Sequence, residues 1–141
     1  MITPSHSPVA PDPAALRAAV RPVAERHRWR LVVLFGSVAR DGHGRDLDLA
    51  VLPRVQPDLL AQGCWWSDLD AVLAGTPLDL LVLGPATSPL TLFEVMREGR
   101  VLFEDTPGLF DQEQDRAVFL YADTQWIRDQ QREVLYARAQ H

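Results

Sequence analysis

Lysine is missing from this chain: all 14 cationic Lys or Arg side chains are arginine. That excludes a P-loop lysine and lysine Schiff-base chemistry. It leaves the planar, bidentate guanidinium as the one permanent cation for anion contacts. Cysteine is nearly missing too, since Cys64 stands alone. A single thiol rules out an internal disulfide framework and a Cys-based zinc site. Between Gly63 and Trp65 it reads as a small buried apolar residue. No apolar run approaches the roughly 20 residues that span a bilayer. The first residues lack the basic-then-apolar pattern of a secretion signal, so the expectation is a cytoplasmic protein with no membrane contact. Positive charge is also in deficit, with a formal net charge of −5. An acidic chain makes a poor platform for a phosphate backbone, so no direct nucleic-acid contact is expected. A single nucleotide is another matter, because Mg²⁺ can bridge acidic side chains to its phosphates.

What is present suffices for one domain. The chain has 141 residues, 47% of them hydrophobic, a size and composition that support a real core. Residues 1–11 carry Pro4, Pro8 and Pro11 and read as a flexible lead-in, with His6 solvated. Asp12-Pro13 is a helix start, and Leu16, Ala19, Val20 and Val23 predict an amphipathic helix over Ala14 to Arg28 that Pro22 kinks or shortens. Arg30 to Phe35 is apolar enough for a strand buried on both faces. A turn begins at Gly36-Ser37, a helical turn follows at Val38 to Arg40, and Asp41 to Gly44 is a loop. The second strand is Asp46 to Leu52. Pro57 to Ala74 predicts a helix with Leu59, Trp66, Leu69 and Leu73 on one face. Leu78 to Leu83 is a third strand. Ser88-Pro89 opens a helix with Leu92, Val95 and Met96 inward, and Arg100 to Phe103 is an edge strand.

From Pro107 to about Ala139 the pattern is helical, a length of about 45 Å if unbroken. Leu120, Ile127 and Val134 lie seven apart, with Ala117, Tyr121 and Leu135 beside them. Phe119 and Trp126 form a second stripe. Two arrangements satisfy this pattern: a helix that projects or packs on a partner, or a bent hairpin that buries both stripes.

The chemistry concentrates in two segments. Gly36 lets backbone approach a phosphate with no Cβ in the way. Ser37 adds a hydroxyl and an N–H near a helix start, where anions are favoured. Arg40, and less directly Arg45, can neutralise phosphate charge. Asp46 and Asp48, two apart on a strand, share a face with Cα atoms roughly 7 Å apart. Carboxylates so placed can converge on one or two hard cations that steady an attacking oxygen and a leaving pyrophosphate. Asp79, an acid at the mouth of an apolar strand, needs a partner or water. Beside the second strand it would complete a triad, ligating metal or taking a proton. His27 and His141 read as solvent-facing, and His43 as a loop residue.

Phe35-Gly36-Ser37-Val38-Ala39-Arg40, Asp46-Leu47-Asp48-Leu49 and Leu78-Asp79-Leu80 together resemble the minimal nucleotidyltransferases of the polymerase-β superfamily. These are often antitoxin partners of HEPN-domain ribonuclease toxins. Ser88-Pro89-Leu90, Glu98 to Glu104 and the long C-terminal helix with Tyr121-Ala122-Asp123 are similar as well. The resemblance implies an α/β (α+β) fold with a short mixed sheet flanked by helices. It implies a nucleotidyltransferase domain over 12–106 and a helical segment over 107–141 that packs on the domain or on a partner. It further implies transfer of AMP from ATP to a hydroxyl, a tyrosine in the antitoxin branch, of a cognate HEPN toxin held in a hetero-oligomer. Gly36, Ser37 and Arg40 would hold the phosphates. Asp46, Asp48 and Asp79 would bind Mg²⁺ and form the catalytic triad.

One departure concerns the loop: eight residues separate Ser37 from Asp46, fewer than the family pattern has, and Arg45 stands where serine is common. Two other function classes compete: an antitoxin that neutralises its toxin by binding alone, and a transferase acting on a small-molecule hydroxyl. The chain is short for the second.

Overall fold

The computed structural model describes residues 12–73 and 75–139; the expected lead-in over 1–11 and both His6 and His141 lie outside them. Helix α1 spans Pro13–His27, strand β1 Leu31–Phe35, helix α2 Gly36–Asp41 and strand β2 Leu47–Leu52. Helix α3 spans Leu59–Val72, strand β3 Leu78–Val82, helix α4 Pro89–Glu98, strand β4 Arg100–Glu104 and helix α5 Leu109–Ala139. The four strands form one mixed sheet in the order β3-β2-β1-β4. β1 is antiparallel to both neighbours, and β2 runs parallel to β3. The parallel pair requires a crossover, which α3 supplies.

Strand alternation divides the core into two layers. Val32, Leu34, Leu47, Leu49, Val51, Leu78 and Leu102 face one side. There they pack against Leu16, Val20 and Val23 of α1 and Trp65 and Leu69 of α3. Leu31, Val33, Ala50 and Leu81 face the other, under Leu92, Val95 and Met96 of α4 and Leu109 and Ala117 of α5. β1 and β2 are buried on both faces, in keeping with their apolar runs.

Several expectations change. Pro22 neither ends nor shortens α1; it and Ala18 lie on the exposed side, where the carbonyl freed by the missing N–H meets water. The inward face of α3 is Trp65, Leu69 and the following Leu73, whereas Leu59 is 84% exposed. Trp66 is half-exposed and donates its indole N–H to the Leu78 carbonyl (3.1 Å), since an indole at a sheet edge can keep its polar end satisfied. Cys64 is exposed, on the outer side of α3, not buried. His27 is not solvent-facing: its Nε2 lies 2.7 Å from Asp68 Oδ2, and its ring stacks on Trp29.

α5 is one continuous helix and not a hairpin. Glu104 accepts hydrogen bonds from the Gly108 and Phe110 N–H groups at its start (3.3 and 3.0 Å), a charge-assisted cap. Tyr121 stacks on Phe93 of α4 (centroids 4.2 Å apart), and Arg128 lies over the outer face of Tyr121. Beyond that point the apolar side chains lose the domain: Trp126 is 63% and Leu135 65% exposed. Trp126, Ile127, Gln130, Gln131, Val134 and Leu135 line a shallow groove of about 450 Å³.

Candidate active site

The site forms where β1 ends and β2 and β3 begin. Phe35, the last residue of β1, pairs with Asp48, and Asp48 pairs with Asp79. One line across the sheet therefore carries the start of the Gly-Ser turn and two carboxylates, with both acids on one face. By alternation that face is the one α4 and α5 cover further along. At this end Asp48 is half-buried, and Asp79 is exposed.

Asp46 does not lie in the strand, as its spacing had suggested; β2 starts at Leu47, and Asp46 occupies the bend before it. The reason is a lack of partners. β1 has already turned away at Gly36, so nothing remains on that side for Asp46 to pair with. The Leu47 N–H makes the first link on the other side, to the Pro77 carbonyl (2.8 Å). Asp46 nonetheless acts on Asp48 through its charge.

Asp48 is the electrostatic centre. Burial, then the charges of Asp79 and Asp46, then a hydrogen bond with Asp79, push its carboxyl above the usual carboxylate range. Three acids crowded so that one resists ionising are what a divalent cation relieves. Among the described residues, no three His, Cys, Asp or Glu side chains stand close enough to hold a metal by themselves. The acids thus offer part of a coordination shell, and phosphate oxygens of a bound nucleotide would have to supply the rest.

The turn is built around Asp48. Gly36 has φ +77°, and a Cβ there would overlap Asp48 Oδ2. Only glycine combines that backbone conformation with so close an approach. Ser37 is the second residue of α2, and a Cβ on Gly44 would overlap its hydroxyl oxygen. Gly44 therefore closes the loop over Ser37. Sequence reasoning placed Gly44 only in a generic loop; a second glycine in a tight return was the available signal.

Arg40 is not brought to the acids. Its guanidinium lies 3.4 Å from Asp41 and 3.8 Å from Glu98, so neighbouring carboxylates on α2 and α4 already engage it. Arg45 is exposed on the loop before Asp46, and His43 is exposed as well.

A Gly-Ser turn beside crowded acids at one sheet end is the setting in which the class of this protein, the nucleotidyltransferases, enters. Residues 20–107 match the family described as Polymerase beta, Nucleotidyltransferase, and the chain belongs to that family. No curated protein matches it. Among solved structures, it is similar to a chain from tri-AMPylated Shewanella oneidensis HEPN toxin in complex with MNT antitoxin. That match has 20% identity and a TM-score of 0.69, and covers 89% of this chain and 99% of that one. A toxin-antitoxin structure with AMP-PNP matches at 21% identity and TM-score 0.70, over 85% of this chain and 98% of that one. The MntA-HepT toxin-antitoxin matches at 19% identity and TM-score 0.67, over 87% and 98%. At such identities the likeness establishes the fold.

Proposed function

We propose that this protein is an Mg²⁺-dependent protein adenylyltransferase that moves AMP from ATP to a hydroxyl, a tyrosine in our reading, of a HEPN-domain toxin, and so acts as its antitoxin. The observation that carries this is the line Phe35–Asp48–Asp79 across the sheet, with Gly36 seated on the Asp48 carboxylate. The structural neighbours, an AMPylated toxin with its antitoxin and a complex with an ATP analogue, support the choice of nucleotide and partner.

The roles follow from position. Gly36 and Ser37 present backbone N–H groups and a hydroxyl to the triphosphate. Asp46 and Asp48 would hold Mg²⁺, with Asp79 completing the set; the ion supplies charge neutralisation at the phosphates. Asp79, the most open acid on the line, accepts the proton of the incoming hydroxyl. The hydroxyl oxygen then bonds to the α-phosphorus, the bond from that phosphorus to the bridging oxygen breaks, and pyrophosphate leaves. Arg40, held by Asp41 and Glu98, reaches phosphate only by exchanging those partners.

The distal part of α5 is the surface we assign to the partner, because its apolar side chains leave the domain uncovered. It also favours a second reading, in which contact alone neutralises the toxin and the trimmed loop leaves the site idle. Incubation with α-labelled ATP, Mg²⁺ and a cognate HEPN protein separates the two. Our reading expects one or more AMP adducts on the partner by intact mass, lost in Asp46→Asn. A stable, inhibited complex with no adduct from any nucleoside triphosphate would replace it with the binding-only reading. No helix among the described residues is long and apolar enough to cross a membrane. We further propose a cytoplasmic location.

A further inference from the structure

The short helix behind the Gly36-Ser37 turn is anchored from the opposite edge of the sheet. β4 pairs with β1 so that Arg100 lies beside Leu34, two residues before Gly36. From there the Arg100 Nε donates to the Ala39 carbonyl (2.9 Å). Among the described residues it is the one side-chain hydrogen bond to the backbone of α2. The acceptor is a carbonyl that needs one. α2 stops at Gly42, whose φ is +80° and whose N–H bonds to the Val38 carbonyl. The last-turn carbonyl of Ala39 is therefore left without a helical donor. The Arg100 side chain borders a cavity of about 200 Å³ with Leu34, Val38, Gly42 and Leu102. Val38 and Ala39 pack into the core, and the Arg100 contact adds a polar tie at the end of the helix that this packing does not cap.

α2 has little room to move without consequence. Gly36 rests on the Asp48 carboxylate at one end, and Ser37 is pressed by Gly44. The one ion pair reaching α2 from another element among the described residues, Arg40 with Glu98, is 3.8 Å long and exposed, so it holds the helix weakly. Neighbouring Gly99 is closely approached, since a Cβ there would overlap the Val95 carbonyl and Val33. The start of β4, from which Arg100 reaches, is thus tightly packed against α4 and β1.

We infer that Arg100 is a positioning residue: by holding the Ala39 carbonyl it sets the distance between the Gly36-Ser37 turn and Asp48, and with it the grip on the nucleotide's phosphates. This rests on the nucleotidyltransferase reading above. It is tested by titrating a non-hydrolysable ATP analogue with Mg²⁺ into the full chain and, in parallel, recording the thermal midpoint. Arg100→Gln is expected to raise Kd about tenfold with little change in the midpoint. Arg100→Lys, which keeps the charge and loses the planar fork, is expected to raise it about threefold. A lowered midpoint with unchanged Kd would make the residue merely structural and overturn the proposal. Should Arg100→Gln fail to fold, the lysine variant decides: an unchanged Kd overturns the proposal. A wild-type chain that binds no nucleoside triphosphate would overturn the nucleotidyltransferase reading and this inference with it. Binding by wild type that Arg100 variants leave untouched would overturn only the inference.

Discussion

Two regions of this molecule break the ordinary rule of burial in opposite directions. At one end of the sheet, acids crowd where strands are otherwise apolar, and Asp48 is held half-buried against Asp79. Along distal α5, large apolar side chains stand in water: Trp126, Ile127, Val134 and Leu135 are each about half exposed or more. Folding favours neither arrangement. Crowded like charges raise the energy of the folded state, and exposed apolar area forgoes the roughly 25 cal/mol per Å² that burial would return. Sites that cost stability and persist are where function is to be sought. The acidic end suits a small, charged substrate and the apolar helix a large partner.

The largest effect should come from breaking the acidic end. Asp48→Asn is expected to lower AMP transfer a hundredfold or more, a loss of several kcal/mol of transition-state stabilisation. The metal-free protein should be at least as stable as wild type at neutral pH, because one of three crowded charges is gone. Single-turnover assays and thermal unfolding read the two halves of this statement. Retained transfer would remove Asp48 from the mechanism, and a large fall in midpoint would make it structural.

Altering the apolar helix should sharpen the contrast. Substituting Ile127→Ser together with Trp126→Ala is expected to leave the isolated domain within about 0.5 kcal/mol of wild type per site. Binding to the proposed HEPN partner should weaken by about 2 kcal/mol or more if these residues anchor the interface. Calorimetry of the complex checks the second figure. Unchanged affinity would return α5 to the status of an exposed helix.

The smallest effect is the pH response, which the two kinds of acid give with opposite sign. The raised carboxyl of Asp48 favours the folded state below the ordinary carboxylate range. That contribution is lost as pH rises through its elevated pKa, unless Mg²⁺ is present. Asp68 is lowered by its hydrogen bond and charge pairing with His27, and by Arg26. Its contribution is present above the ordinary range and lost as pH falls through its depressed pKa. Unfolding midpoints of Asp48→Asn and Asp68→Asn across the acid range should therefore diverge from wild type on opposite sides. Parallel curves for the two variants would contradict the assignment.

Much of the fold was legible because its signals are local. The apolar run of β1, the Ser88-Pro89 start of α4 with Leu92, Val95 and Met96 inward, and the length of α5 were all readable from spacing. Errors arose where a neighbour decides. Trp65 and not Trp66 faces inward because α1 and the sheet, not helical period alone, choose the rotation of α3. His27 is held by Asp68 from 41 residues away. Asp46 leaves the strand because β1 has already turned. At the candidate site the residue types were visible, and Arg40 was a fair candidate by position. Only the fold shows that it is engaged by Glu98.

By itself the chain determined which chemistry was possible: no lysine, one thiol, a Gly-Ser turn after an apolar strand, and three acids near strand starts. Those are properties of residue type and period, which act over a few positions. The tertiary structure decided which of those residues meet. Strand order brought Asp79 into register with Asp48. A positive-φ glycine seated the turn on that carboxylate, and Arg100 reached across β1 to the back of α2. Such meetings depend on pairing and packing between distant segments, whose closure no local pattern encodes.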